Sequence, residues 1–164
     1  MLLKHIEKLK EELGGLEGRD RLGVLDRWIL SKLNTLVEIV SSRLEKYDAM
    51  SASRAIEDFV VGDLSTWYIR RSRDRVGPAP AAGKEDEKTF LSTTYTVLIT
   101  LSKLLAPFMP FVAEEIYRNL TGEESVHLVD FPQGDSSLVD EGLMRQMGFL
   151  RQIVEVGHAM RKDA

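Results

Sequence analysis

An all-α fold, a helical bundle of about five to six helices, follows from three observations on this 164-residue chain. Apolar residues recur at steps of three and four through several long stretches, the period of helices that turn one face to a core. Prolines 78, 80, 107, 110 and 132 gather between those stretches, where chain breaks are needed. With 43% hydrophobic and 29% charged residues, the chain is balanced like an ordinary globular domain, long enough to bury about two-thirds of its unfolded surface.

The elements follow in order. Leu2, Leu3, Ile6, Leu9 and Leu13 predict a short amphipathic helix over 2–13, followed by a glycine-rich connection over 14–23. Leu30, Leu33, Val37, Val40 and Leu44 mark a helix over 26–46. A second long helix is expected over 50–75, from Ile56, Phe59, Val60, Leu64 and Trp67, interrupted by Gly62. The stretch 76–84 reads as a surface loop. The pattern resumes from Glu87 through Phe90, Val97, Leu101 and Leu104 until Pro107 stops it, and Pro110 suits the first turn of a helix over 111–120 that Gly122 can terminate. Val126, Leu128 and Phe131 predict a short extended segment near 125–131, docked on the bundle. A last helix over 140–161 is expected to turn Leu143, Met147, Leu150, Val154 and Met160 inward. Residues 1–24 form an N-terminal helix and linker, and 25–164 a single bundle.

Several chemistries lack their residues. Without cysteine there is no disulfide, thiolate zinc site or thiol nucleophile. His5, His127 and His158 lie in unrelated segments, with no metal-ligand spacing and no catalytic signature. No phosphate-cradling glycine loop occurs. No apolar run reaches the roughly 18 residues of a membrane span, and the N-terminus lacks a secretory pattern, so no membrane partner is expected. Catalytic residues, metal and cofactor are therefore expected to be absent from this chain.

One constellation stands apart. Trp67-Tyr68-Ile69-Arg70-Arg71-Ser72-Arg73-Asp74-Arg75 sets four arginines against one aspartate on a chain of net charge −4. Cations near a helix C-terminus offset its dipole, but one suffices, and neighbouring like charges repel. Guanidinium groups are the preferred forks for phosphate and plates for stacking on bases, so the excess favours an RNA or phosphate partner. At 100° per residue, Arg71 and Arg75 fall near Tyr68, while Arg70 and Arg73 lie on the other flank. The candidate RNA-binding residues are thus Tyr68, Arg70, Arg71, Arg73 and Arg75. Trp67 belongs to the same run, although it shares a face with Ile56 and Val60 and reads more readily as core. A solvated helix end and a protein-docking surface remain the alternatives.

Four blocks carry a resemblance. They are Leu25-Asp-Arg-Trp-Ile-Leu-Ser-Lys-Leu-Asn34; Ala55-Ile-Glu-Asp-Phe-Val60 running on to Trp67-Tyr-Ile-Arg-Arg-Ser-Arg73; Leu104-Leu-Ala-Pro-Phe-Met-Pro-Phe-Val-Ala-Glu-Glu-Ile-Tyr117; and Ser125-Val-His-Leu-Val-Asp-Phe-Pro132. Together they resemble the anticodon-binding domain of class I aminoacyl-tRNA synthetases. The Trp-Tyr-Ile-Arg-Arg-Ser-Arg block is most similar to the isoleucine members; the valine, leucine and methionine enzymes share the proline-phenylalanine block. The resemblance implies a bundle that grips the anticodon stem-loop of isoleucine tRNA, with the basic helix end at or near that contact. It also implies a cytoplasmic parent ligase that uses ATP and magnesium, carries its catalytic domain on the same polypeptide, and leaves room for zinc in its other parts. Two departures matter. Val76 and Gly77 stand where the family often has bulky aromatics, and the His-Ile-Gly-His and Lys-Met-Ser-Lys-Ser types of catalytic motif are both missing. The chain by itself is therefore expected to be inactive. The alternatives are the same module from a sibling synthetase, and a docking scaffold without RNA binding.

Overall fold

The computed structural model describes residues 22–76 and 83–162. Five α-helices form the frame: α1 (Val24–Glu45), α2 (Ala49–Asp58), α3 (Lys84–Leu105), α4 (Pro110–Thr121) and α5 (Glu141–Lys162). No strand occurs among the described residues, so the all-α expectation holds. The helix expected over 2–13 and the prolines at 78 and 80 lie outside the described residues.

Local chemistry fixes the helix ends. The Gly23 N–H donates to the Asp26 carboxylate at 3.1 Å, a reach-back from the first turn that opens α1. At its other end Tyr47 takes a left-handed conformation (φ 58°), while its N–H bonds to the Leu44 carbonyl and that of Asp48 to the Arg43 carbonyl. That pair of bonds is a glycine-type helix stop, here made by a tyrosine. Asp48 then caps α2 by accepting from the Ser51 N–H at 3.0 Å. Pro110 occupies the first turn of α4, and Gly122 (φ 70°) closes it, both as the sequence predicts.

The second long helix is continuous but changes winding. From Phe59 to Ile69 the backbone is π-helical, and Gly62, read from sequence as an interruption, sits inside that stretch. The wider winding accompanies a carbonyl with a new partner: Gly62 O accepts from Arg151 at 3.2 Å. After Arg71 the chain turns at Ser72 and makes one 3-10 turn over Arg73–Arg75, so the helix stops short of the expected residue 75.

The main core lies between α1, α2 with its π-helical continuation, and α3, around Trp28, Ile29, Val37, Val40, Tyr68, Val97 and Leu104. A smaller cluster of Ala113, Tyr117 and Val126 joins α4 to the segment that follows. That segment is extended at Ser125 and Val129 with a single 3-10 turn between them. It docks through the Val126 N–H, which donates to Glu114 at 2.9 Å.

The last helix departs from expectation. Leu143 and Met147 are buried and Val154 half-buried, but Leu150 is exposed and Met160 is 70% exposed. Phe149, Ile153, Val156 and Met160 form a second apolar stripe on the side opposite Leu143 and Met147, and all four are exposed. Helical spacing marks both stripes equally, and only the first meets α1.

Candidate nucleic-acid interface

The arginine run sits where three helix ends converge. Asp26, in the first turn of α1, is fully buried and faces the 3-10 turn that ends the second long helix. Arg75 meets it in a fork: Nη1 donates to Oδ1 and Nη2 to Oδ2, both at 2.8 Å. Arg75 also donates through Nε and Nη2 to the Asp86 carboxylate in the first turn of α3, both at 2.7 Å. The Tyr68 hydroxyl completes the knot, donating to Asp26 Oδ1 at 2.6 Å. Its ring stacks on Phe90 of α3 with centroids 5.6 Å apart.

This network explains two protonation states. Burial pushes the Tyr68 phenol above its ordinary value, and the Asp26 charge adds to the effect. For Arg75 burial pulls downward, but the hydrogen bonds to Asp26 and Asp86 outweigh it and hold the guanidinium firmly charged.

The structure places three of the candidate contact residues inside the fold, Trp67 among them as its shared face with Ile56 and Val60 leads one to expect. Tyr68 is fully buried with its hydroxyl engaged, so its ring is not available to a base. Arg75 is spent on two internal carboxylates. Trp67 is only 7% exposed and its indole N–H donates to Met147 Sδ at 3.2 Å, which makes it a core residue.

The other three arginines behave differently. Arg70, Arg71 and Arg73 are all exposed, and among the described residues none has an ion pair. Arg71 lies over the Trp67 ring, its guanidinium carbon 3.7 Å from the centroid. Arg151 of α5 approaches the same ring at 5.3 Å while pairing with Asp63, which Lys32 also reaches at 3.1 Å. The Trp67 indole thus has two arginines near its ring, one of them exposed and the other paired with Asp63.

Asp26, Asp63, Asp86 and Arg151 were not singled out by the sequence reading. The one available signal was angular: Arg75 falls on the Tyr68 side of the helix, and a buried tyrosine hydroxyl beside an arginine calls for a carboxylate. Nothing local says that Asp26 supplies it.

The profile of the anticodon-binding domain of tRNA ligase matches residues 26–164. The chain belongs to that family. It is 48% identical over 146 residues to the isoleucine–tRNA ligase of Dehalococcoides mccartyi strain CBDB1, which covers 85% of this chain and 14% of that ligase. For the isoleucine–tRNA ligase of Porphyromonas gingivalis the identity is 47% over 139 residues, covering 84% of the chain and 12% of the ligase. The ligase of Pyrococcus furiosus is 44% identical over 146 residues, 85% of the chain and 13% of the ligase. The chain thus spans about one-seventh of the relatives it matches, and the family likeness drawn from the four sequence blocks holds. Among the described residues of this domain no group of three histidine, cysteine or carboxylate side chains comes together to hold a metal ion. Nor is any described helix long and apolar enough to cross a membrane.

Proposed function

We propose that this chain is the part of an isoleucine–tRNA ligase that holds the anticodon stem-loop of isoleucine tRNA, through the outward guanidinium groups of Arg70, Arg71 and Arg73. The parent would join isoleucine to its tRNA with ATP and magnesium in the cytoplasm, on a catalytic domain of the same polypeptide. This domain would bind and orient the tRNA far from that chemistry.

One observation carries the reading: three exposed arginines with no ion pair among the described residues stand at a helix end that a clamp of buried Asp26 and half-buried Arg75 and Asp86 holds in place. A rigid mount matters because charge-assisted contacts to phosphate gain most when the donors are already positioned.

The test is a titration of labelled anticodon stem-loop against the chain at several salt concentrations. Two to three phosphate contacts at about −0.7 each give a log–log salt slope of roughly −1.4 to −2. Replacing Arg70, Arg71 and Arg73 together by alanine is expected to flatten that slope and abolish measurable binding. Equal binding by wild type and the triple variant overturns the assignment.

A rival reading, a helical docking scaffold, draws support from the exposed stripe Phe149, Ile153, Val156 and Met160. Binding through that face would depend little on salt, so the same titration separates the two.

A further inference from the structure

We propose that Arg71 offers the outer face of its guanidinium to an unpaired nucleobase, with Trp67 stacked beneath it, while Arg70 and Arg73 take phosphates. The inference rests on the RNA-binding reading above and divides its labour.

The three side chains share a charge but not a mounting. Arg71 lies in face contact with an indole, its guanidinium carbon 3.7 Å from the ring centroid. That indole is anchored in the core: its N–H donates to Met147, and Arg151 stands 5.3 Å from the ring. The guanidinium therefore rests on a buried ring tied to the core by its own hydrogen bond. A planar cation attracted to an aromatic face has much of its rotamer freedom already removed, so the ordering cost of a further stacking contact is small.

The buried Trp67 has no face left for an RNA base. Arg71 covers it, is itself exposed, and has no ion pair or hydrogen bond among the described residues. Its plane is the surface that a splayed loop base meets, and unpaired bases in RNA loops stack on arginine planes as they do on aromatic rings. Arg70 and Arg73 lie over no ring. They are exposed cations, suited to a phosphate that needs charge more than a plane.

Lysine separates the two roles, because it keeps the positive charge and loses the plane. Binding of the intact stem-loop, and of the same stem-loop with abasic loop nucleotides, is measured for the wild-type chain, Arg71→Lys, and the double variant Arg70→Lys/Arg73→Lys. Arg71→Lys is expected to bind the intact loop about tenfold more weakly, at an unchanged salt slope, and to lose the preference for intact over abasic loops. The double lysine variant, which keeps both charges, should hold the salt slope and keep the preference for intact over abasic loops whatever its affinity. A thermal melt that overlays wild type shows that Arg71→Lys folds. If Arg71→Lys binds the intact loop as wild type does, or wild type binds both loops equally, the stacking role is wrong. If Arg70→Ala/Arg73→Ala also leaves affinity and salt slope untouched, the RNA-binding assignment falls with it.

Discussion

Arg73 and Arg75 stand two residues apart in one basic run, yet the fold treats them as opposites. Arg75 is half-buried in a four-bond fork with Asp26 and Asp86, whereas Arg73 is exposed and has no ion pair among the described residues. Residue type does not distinguish them, and neither does local charge. The difference comes from carboxylates on other helices: Asp26 lies 49 positions earlier, and Asp86 lies 11 later. The lesson is that a basic cluster at a helix end can contain both its own anchor and its working surface. Arg75 ties the starts of α1 and α3 to the end of the second long helix, and the remaining arginines face outward because that anchor settles where the turn sits.

The sharpest way to break the comparison is to remove the anchor's partner. In Asp26→Ala the Arg75 guanidinium and the Tyr68 hydroxyl both lose a buried acceptor. Arg75 is half-buried and keeps its pair with Asp86, so the cost comes from the phenol left without its acceptor and from half of the fork, about 1–3 kcal/mol, still a sizeable share of the stability of a domain this size. Urea unfolding should show a loss in that range. A loss below about 1 kcal/mol would mean that Arg75 swings into solvent at little cost, and the anchor would then be no anchor.

A smaller effect follows from the phenol in the same knot. The folded Tyr68 hydroxyl titrates above the ordinary 10.0 because burial, then the Asp26 charge, disfavours its anion. With the folded value above the unfolded one, its contribution is complete below pH 10 and is lost as the pH rises further, because the unfolded chain then binds fewer protons. The slope reaches at most about 1.4 kcal/mol per pH unit. Tyr95 and Tyr117 are also raised by burial, so the effect is read as a difference: Tyr68→Phe should flatten the fall in stability between pH 9.5 and 11 relative to wild type. Parallel curves for the two proteins would place the hydroxyl in contact with water.

How much of this the sequence discloses depends on whether the interaction is local. Helix α1 was legible because Leu30, Leu33, Val37 and Val40 form one stripe and all are buried. The ends of α4 were legible because Pro110 and Gly122 act through their own backbone. The distal half of α5 was not: Phe149, Ile153, Val156 and Met160 repeat as regularly as the buried stripe, and periodicity does not name a partner. The π-helical stretch was half-legible, since Gly62 marked the place but Arg151, 89 residues away, holds its carbonyl. The candidate site divided the same way. Charge alone marked the helix end on which the candidate site is read, and the sorting of its arginines into buried and exposed depended on carboxylates that no local pattern connects to them.

The comparison is sharpened most by the change expected to do least to the fold. Arg70→Ala/Arg73→Ala removes two exposed cations with no ion pairs among the described residues, and surface substitutions of that kind stay within about 0.5 kcal/mol. Relief of repulsion between like charges on neighbouring turns could even leave the variant slightly more stable at low salt. Urea midpoints measured at low and high salt should therefore agree with wild type to within that margin, while the slope of RNA affinity against salt falls by about 1.4. A stability loss above 1 kcal/mol would show that these arginines, like Arg75, work for the fold. The outward half of the run would then have no surplus charge to give an RNA.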